Sequence, residues 1–279
     1  PRFHIGESLL PANLPLFERM GRGVALTDAG DLLVHHALRV LGEIKDAEAN
    51  LQGLLGGETG QLSVGLVSTA KYFMPRLLAQ FSQAHPGIEV QFSVGNRESL
   101  LQKLQDNAID LAVMGRIPVE IDAHAEPMAS HPYVLIGPSD HPLRDARRFD
   151  LHELRHETFL LREEGSGSRR VAEEMFKNHL FTPTKTISMG SNETIKQAVM
   201  AGMGIALISL HTLPLELKTA EVSILDVVGT PIERTWYVVH MNSKRLLPAG
   251  QRFREFLLEQ AAPGLEKEFG RYLTARTAS

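Results

Sequence analysis

From Thr27 onward the apolar positions fall on a helical beat. Leu33, Ala37, Val40, Ile44, Ala47, Leu51 and Leu54 follow one another at steps of four and three, the heptad seam of a helix that packs on a partner helix. Thr27 suits an N-cap, Asp28 and Asp31 favour the helix dipole in the first turn, and Gly56-Gly57 ends the run, so a helix is predicted over 28–57. Such a seam predicts dimerisation; an amphipathic helix lying on its own domain is the alternative.

Past residue 60 the beat changes to alternating units. Residues 61–67 read as a strand, about 73–84 as a helix, 88–95 as a strand, 98–106 as a helix and 109–115 as a strand. This βαβαβ run predicts a parallel sheet covered by helices. A second series resembles the first: strands at 133–137 and 158–162, a helix at about 167–178, a strand at 186–190, a helix at about 193–201 and a strand at 205–209. A strand at 236–241 and an amphipathic helix through 251–260 close the pattern. The expected fold is α/β, with two lobes and a ligand cleft between them.

Composition narrows the function classes. The 279 residues are 43% hydrophobic, enough to build a core in each of two modest domains, and contain no cysteine. Disulfides, thiol catalysis and cysteine zinc sites are therefore excluded. No apolar run approaches a membrane span and no secretory signal pattern opens the chain, so a cytoplasmic protein with no membrane partner is expected. Net charge is −4, and residues 1–60 carry five Lys/Arg against eight Asp/Glu. The balance does not announce nucleic-acid binding over the whole chain.

Candidate chemistry gathers where strands give way to helices. Ser68 and Thr69 end the first strand, where hydroxyls and backbone N–H groups can point at an anion in the cleft; helix capping is the alternative. In the EEGSGSR stretch at 163–169, Gly165 and Gly167 allow close backbone approach, while Ser166, Ser168 and Arg169 supply donors; a plain capping loop remains open. Arg116 closes the strand at 109–115, either facing the cleft or solvent, and Asn192 either caps a helix or contacts ligand. Gly202 and Gly204 read as structural. His152-Glu153-Leu154-Arg155-His156 matches the HExxH pattern of zinc peptidases, but the segment is short and offers no third ligand, so a chance match is expected. With no GxSxG, SxxK or GxxxxGK[ST], no catalytic group, metal or cofactor is predicted.

These segments line up with a known family. PLFERMGRGVALTDAG resembles the wing and wing-to-linker joint of LysR-type transcriptional regulators, and the heptad helix resembles their dimerising linker. The DLAVMGR strand end, the SDHPL turn, EEGSGSR and QAVMAGMGIALIS are similar to the family's two-lobed effector domain. Within the family, VGNRE and MGRIP look like the CbbR type, regulators of Calvin-cycle carbon-fixation operons. The resemblance implies a periplasmic-binding-protein-like effector domain preceded by a long dimerisation helix and a remnant of a winged helix-turn-helix. Its divisions would be 1–27 for the wing, 28–57 for the linker, 61–133 with 239–260 for lobe I and 134–238 for lobe II. It implies effector contacts at Ser68, Thr69, Ala70, Arg116, Gly165, Ser166, Gly167, Ser168 and Asn192, and DNA contacts at Arg19 and Arg22. The implied partners are double-stranded promoter or operator DNA, a small anionic metabolite such as a carbon-metabolism intermediate or a reduced nicotinamide nucleotide, and a second or further copies of the chain in a homodimer or homotetramer.

The first residues depart from that pattern. Fewer than twenty residues precede PLFERMG, Pro11 falls where the recognition helix would end, and PRFHIGESLLPANLPLFERMG resembles a segment of flavin-dependent halogenases. The expectation is a junction at the shared PLFERMG string, with DNA reading weakened; a truncated or divergent start is the alternative. Without DNA reading, the chain would be an effector-binding dimerisation module.

Overall fold

The computed structural model describes residues 14–21, 23–54 and 59–274. A hairpin of β1 (Phe17–Met20) and β2 (Gly23–Leu26) leads into α1 (Asp28–Leu54). Thr27 caps that helix as its sequence predicts: its hydroxyl accepts from the Gly30 amide at 3.1 Å and donates to the Pro15 carbonyl at 2.6 Å. Gly30 is required here, because a Cβ at this position would fall on the Leu16 carbonyl oxygen. The hairpin is thereby locked against the first turn of the helix. The expected helix end at Gly56-Gly57 and the halogenase-like residues 1–13 lie outside the described residues.

Then come β3 (Gly60–Val67), α2 (Met74–Ala84), β4 (Ile88–Gly95), α3 (Arg97–Gln105), β5 (Leu111–Met114) and β6 (Ala123–Ser130). The chain continues through β7 (Tyr133–Pro138), β8 (Thr158–Arg162), α4 (Gly167–Asn178), β9 (Lys185–Met189), α5 (Asn192–Met200), β10 (Ala206–Ser209), α6 (Pro214–Lys218) and β11 (Val222–Leu225). It closes with β12 (Thr235–Met241) and α7 (Pro248–Thr274).

Lobe I is a five-stranded sheet in the order β4-β3-β5-β12-β6, with β3 parallel to both β4 and β5, and β12 antiparallel to β5 and β6. Lobe II repeats it. The strands β10-β7-β11 are antiparallel, β8 and β9 are parallel, and a parallel bridge between Phe159 and Ile205 joins the two groups. The resulting order, β9-β8-β10-β7-β11, has the same sense at every step. In each lobe the fourth strand of the order, β12 or β7, is supplied by the chain as it arrives from the other lobe. The second crossing falls at 232–234, so all of β12 pairs within lobe I, a few residues ahead of position 239.

The two crossing segments pair with each other. His131 and Arg234 exchange both backbone hydrogen bonds, at 2.8 and 3.1 Å, and Tyr133 and Ile232 do the same at 2.9 Å each. A two-stranded ribbon is therefore the covalent hinge between the lobes. Beneath it, one apolar cluster runs through both lobes, from Leu62, Val64, Phe81 and Phe253 to Leu160, Ile195 and Val199. Full burial of each such side chain contributes about 1.5–3 kcal/mol. The final helix runs on past the expected end at Gln260, through Pro263 to Thr274. Proline costs a helix interior a hydrogen bond, and burial of Ala261 just before it and of Leu265 and Phe269 after it offsets that cost.

Candidate functional site: the interlobe cleft

The carboxyl ends of β3, β4, β5 and β8 all open toward one cavity of about 320 Å³ between the lobes. Parallel strands place their terminal backbone groups and following turns at this edge, where ligands of open α/β sheets bind. Lobe I lines the cavity with Ser68 and Thr69 after β3, Asn96 and Arg97 after β4, and Gly115 and Arg116 after β5. Lobe II contributes Tyr133, Arg162 and the turn from Glu163 to Ser168, with Arg170 and Glu174 on α4. Arg234 enters from the hinge ribbon.

Thr69 precedes a short 3₁₀ turn, Ala70–Tyr72, without capping it through its side chain. Ser166 likewise stands at the N-cap of α4 with no side-chain cap hydrogen bond. Gly165 turns the chain with a positive φ of 81°, and the residues that open α4, Gly167 and Ser168, line the cavity; helix N-termini attract anions through their free amides and the helix dipole. Ser168 is buried, with its hydroxyl 3.4 Å from the Tyr133 hydroxyl. Burial raises the Tyr133 phenol above its ordinary range, so it stays protonated and able to donate.

Five arginines line the cleft, and their partners differ. Arg162 is buried, forks onto Glu163 at 2.7 Å through both Nε and Nη2, and donates from Nη1 to Asn192 Oδ1 at 2.6 Å. Burial pushes the Glu163 carboxyl up, but Arg162 outweighs this and holds it below the usual range. Arg97 donates to the carbonyls of Arg116 and Ile117, both at 3.1 Å, and to Glu120 at 2.6 Å. It thereby fixes the loop that presents Arg116. Arg234 pairs with Glu174. Arg116 keeps only a loose contact to Glu120 at 3.9 Å, and Arg170 has no carboxylate partner among the described residues. Two available guanidinium groups, one from each lobe, thus converge on one cavity.

The sequence-predicted residues fall into three groups. Ser68, Thr69, Arg116, Gly165, Ser166, Gly167 and Ser168 line the cavity. Asn192 is buried just behind the wall, bonded to Arg162 and to Thr69. Ala70 does not line the cavity: it opens the 3₁₀ turn and its side chain is enclosed in the core. Arg19 is exposed on the hairpin, and Arg22 lies outside the described residues. In the linker, Leu33 is partly buried while Ala37, Val40, Ile44 and Ala47 are exposed; the side chains of Leu51 and Leu54 lie outside the described residues. The HExxH match does not form a zincin helix. His152 sits in a 3₁₀ turn, Leu151–Leu154, held by Asp150 at 2.7 Å, and His156 accepts from Arg155 at 3.0 Å. Sequence reasoning missed Arg97, Arg162, Arg170 and Arg234. Arg162 ends β8 as Arg116 follows β5, so the strand-end rule that selects Arg116 also selects Arg162.

Two lobes of matching topology, joined by a paired ribbon and closing on a polar cleft, define a hinged small-molecule-binding domain. Residues 55–262 match the LysR substrate binding domain family. Over 263 residues the chain is 60% identical to the HTH-type transcriptional regulator CfxR of Cupriavidus necator, covering 94% of this chain and 83% of that one. It is 48% identical over 246 residues to the HTH-type transcriptional regulator CbbR of Rhodospirillum rubrum, covering 88% and 82%. A solved structure of the Synechocystis CcmR regulatory domain in complex with 2-PG superposes with a TM-score of 0.67 at 39% identity, covering 72% of this chain and 96% of that one. The chain belongs to the LysR-type transcriptional regulators and is CbbR-like; it is a regulator and not an enzyme. The halogenase resemblance of the first residues receives no support from these comparisons.

Proposed function

We propose that the cleft senses a small anionic metabolite, and that the protein, a cytoplasmic homodimer or homotetramer, transmits its occupancy to promoter or operator DNA of carbon-fixation genes. The observation that carries this reading is the convergence of Arg116, Arg170 and the α4 N-terminus on one cavity between hinged lobes. An anion there gains charge-assisted hydrogen bonds from both lobes at once, so binding favours the closed arrangement. The 2-PG complex of the CcmR regulatory domain makes 2-PG the first ligand to test. Calorimetric titration of the full chain with 2-PG and other carbon-metabolism anions is expected to show saturable binding, lost on substitution of Arg116 or Arg170. Binding by none of them overturns the sensor reading.

A second reading, an effector-binding dimerisation module without DNA activity, is favoured by one feature: residues 1–60 carry five Lys/Arg against eight Asp/Glu, a balance that offers little counterion release to a duplex. A gel shift on operator duplex across a salt series separates the two. Salt-dependent retardation supports the regulator acting on DNA, because phosphate contacts release counterions; its absence supports the module.

A further inference from the structure

On the far edge of lobe I, away from the strand ends that form the cleft, three side chains from two strands meet. His124 and Glu126 stand two residues apart on β6, which places them on one face of the sheet. His240 on β12 is the direct cross-strand partner of His124, and directly opposed residues of an antiparallel pair bring their side chains together. The imidazole centroids lie 5.3 Å apart, His124 Nε2 is 3.6 Å from Glu126 Oε2, and one ligand atom from each of the three residues lies within 4.8 Å of the others.

We propose that His124, Glu126 and His240 form a binding site for a late first-row divalent metal ion, with Zn²⁺ as the representative probe. The donor set selects this class. Two imidazoles and one carboxylate suit Zn²⁺, Ni²⁺ or Cu²⁺, whereas Mg²⁺ and Ca²⁺ require all-oxygen shells. The tautomer of His240 is already set for coordination. Its Nδ1 lies 3.1 Å from the Met241 carbonyl oxygen, which can only accept, so the proton sits on Nδ1 and the Nε2 lone pair is left for a metal. Backbone carbonyls orient metal-binding histidines in this way at established sites.

Arg254 of α7 holds Glu126 by a two-point fork, with Nη2 donating to Oε1 at 2.6 Å and Nε to Oε2. A carboxylate offers about four lone-pair positions, so each oxygen retains one for a metal while the guanidinium fixes the group's direction. Arg254 is a positioning residue on this account. β6 is the edge strand of the sheet and the His124 side chain is 51% exposed, so an ion has access from solvent. A bound ion would cross-link β6 to β12, the two strands that run directly into the hinge ribbon.

The test titrates Zn²⁺ into the chelator-treated chain by calorimetry, with Co²⁺ substitution followed by its visible absorption. The expected result is one ion per chain, a Co²⁺ band indicating imidazole coordination, and a metal-dependent rise in melting temperature. His124→Ala and Glu126→Gln should each weaken binding about tenfold or more, and His240→Ala should abolish it. His156→Ala, in the HExxH stretch, should leave it unchanged. Each variant's circular dichroism and metal-free melting curve identify any that fail to fold, and the exposed His124 keeps the test independent of packing. Absence of saturable binding, or binding unaffected by His124→Ala and His240→Ala, overturns the proposal, as does binding that disappears with His156→Ala.

Discussion

The Asn192 side-chain amide donates to the Thr69 hydroxyl at 3.4 Å and thereby joins α5 of lobe II to the end of β3 in lobe I, while its carbonyl accepts from Arg162 Nη1 at 2.6 Å. A chain of hydrogen bonds runs from Glu163 through Arg162 and Asn192 to Thr69 across the base of the cleft. Removing Asn192 leaves the buried Arg162 Nη1 without its partner, and an unsatisfied buried donor costs about 1–3 kcal/mol, more where it is charged. Asn192→Ala should lower unfolding stability by at least that amount. Thr69→Val strands only the neutral Asn192 amide and leaves the charged Arg162 paired, so it should weaken effector binding with a smaller loss of stability than Asn192→Ala. Denaturant unfolding and calorimetry on the two variants check the split; equal stability losses would refute the relay.

Arg116 and Arg170 differ from the other cleft arginines in having little or no carboxylate attached. A charge-assisted hydrogen bond contributes about 1.5–3 kcal/mol, so Arg116→Gln and Arg170→Gln should each weaken an anionic effector by roughly ten- to hundredfold. Arg97→Gln should act indirectly by loosening the loop that carries Arg116, giving a smaller loss. Calorimetric Kd values measured at two ionic strengths test this ordering.

Behind the hinge, His131 stacks on Trp236 with centroids 3.8 Å apart, and Trp236 Nε1 donates to His211 Nδ1 at 2.9 Å. His211 must stay neutral to accept that bond, and burial holds its pKa down to about 3. His131 is also held well below its ordinary value, by burial first and then by the neighbouring His211 and Arg234. In the unfolded chain both titrate near 6.5. Their contribution to stability is therefore complete above about pH 6.5 and declines as pH falls toward the folded values, because only the unfolded state takes up the protons. For His211 the loss by pH 5 is about 2 kcal/mol. Urea unfolding at pH 7.5, 6 and 5 should show this decline, and His211→Gln, which retains an acceptor for Trp236, should make it shallower, leaving the part that belongs to His131.

The repeated βαβ units and the capped α1 were legible because their signals are local: a change of apolar period, a capping threonine, glycine at a turn. β6 was not legible. Its sequence, AHAEPMAS, has no sustained alternation, and it is a strand because β12 returns from more than 100 residues away to pair with it. The His124–His240 juxtaposition was hidden for the same reason. In the cleft, residues at strand ends could be found one at a time, but their partners could not: nothing near Arg162 signals Asn192, 30 positions later. Ala70 differs from its neighbour for a smaller cause: it opens the 3₁₀ turn with its side chain enclosed in the core, while Thr69 lines the cavity.

The linker helix yields the last prediction. Val40 and Ile44 are 59% and 51% exposed, and Leu32, Leu38 and Leu41 are exposed beside them. A run of exposed apolar side chains of this kind marks an interaction face. The helix is anchored on its other side to lobe I, where His35 pairs with Asp106 and Gly42 is buried against Asn107, so the open face is directed outward. If that face carries the dimer, Val40→Asp with Ile44→Asp should convert dimer to monomer in size-exclusion chromatography with light scattering, while the melting transition of the lobes is preserved. Gly42→Ala probes the anchor instead. An added Cβ would stand 2.9 Å from the Asn107 Cβ, closer than real contacts allow, so it should tilt the helix away from lobe I without removing the seam. Retention of the dimer in the double aspartate variant would show that the helix is not the principal contact and would move the interface to the lobes.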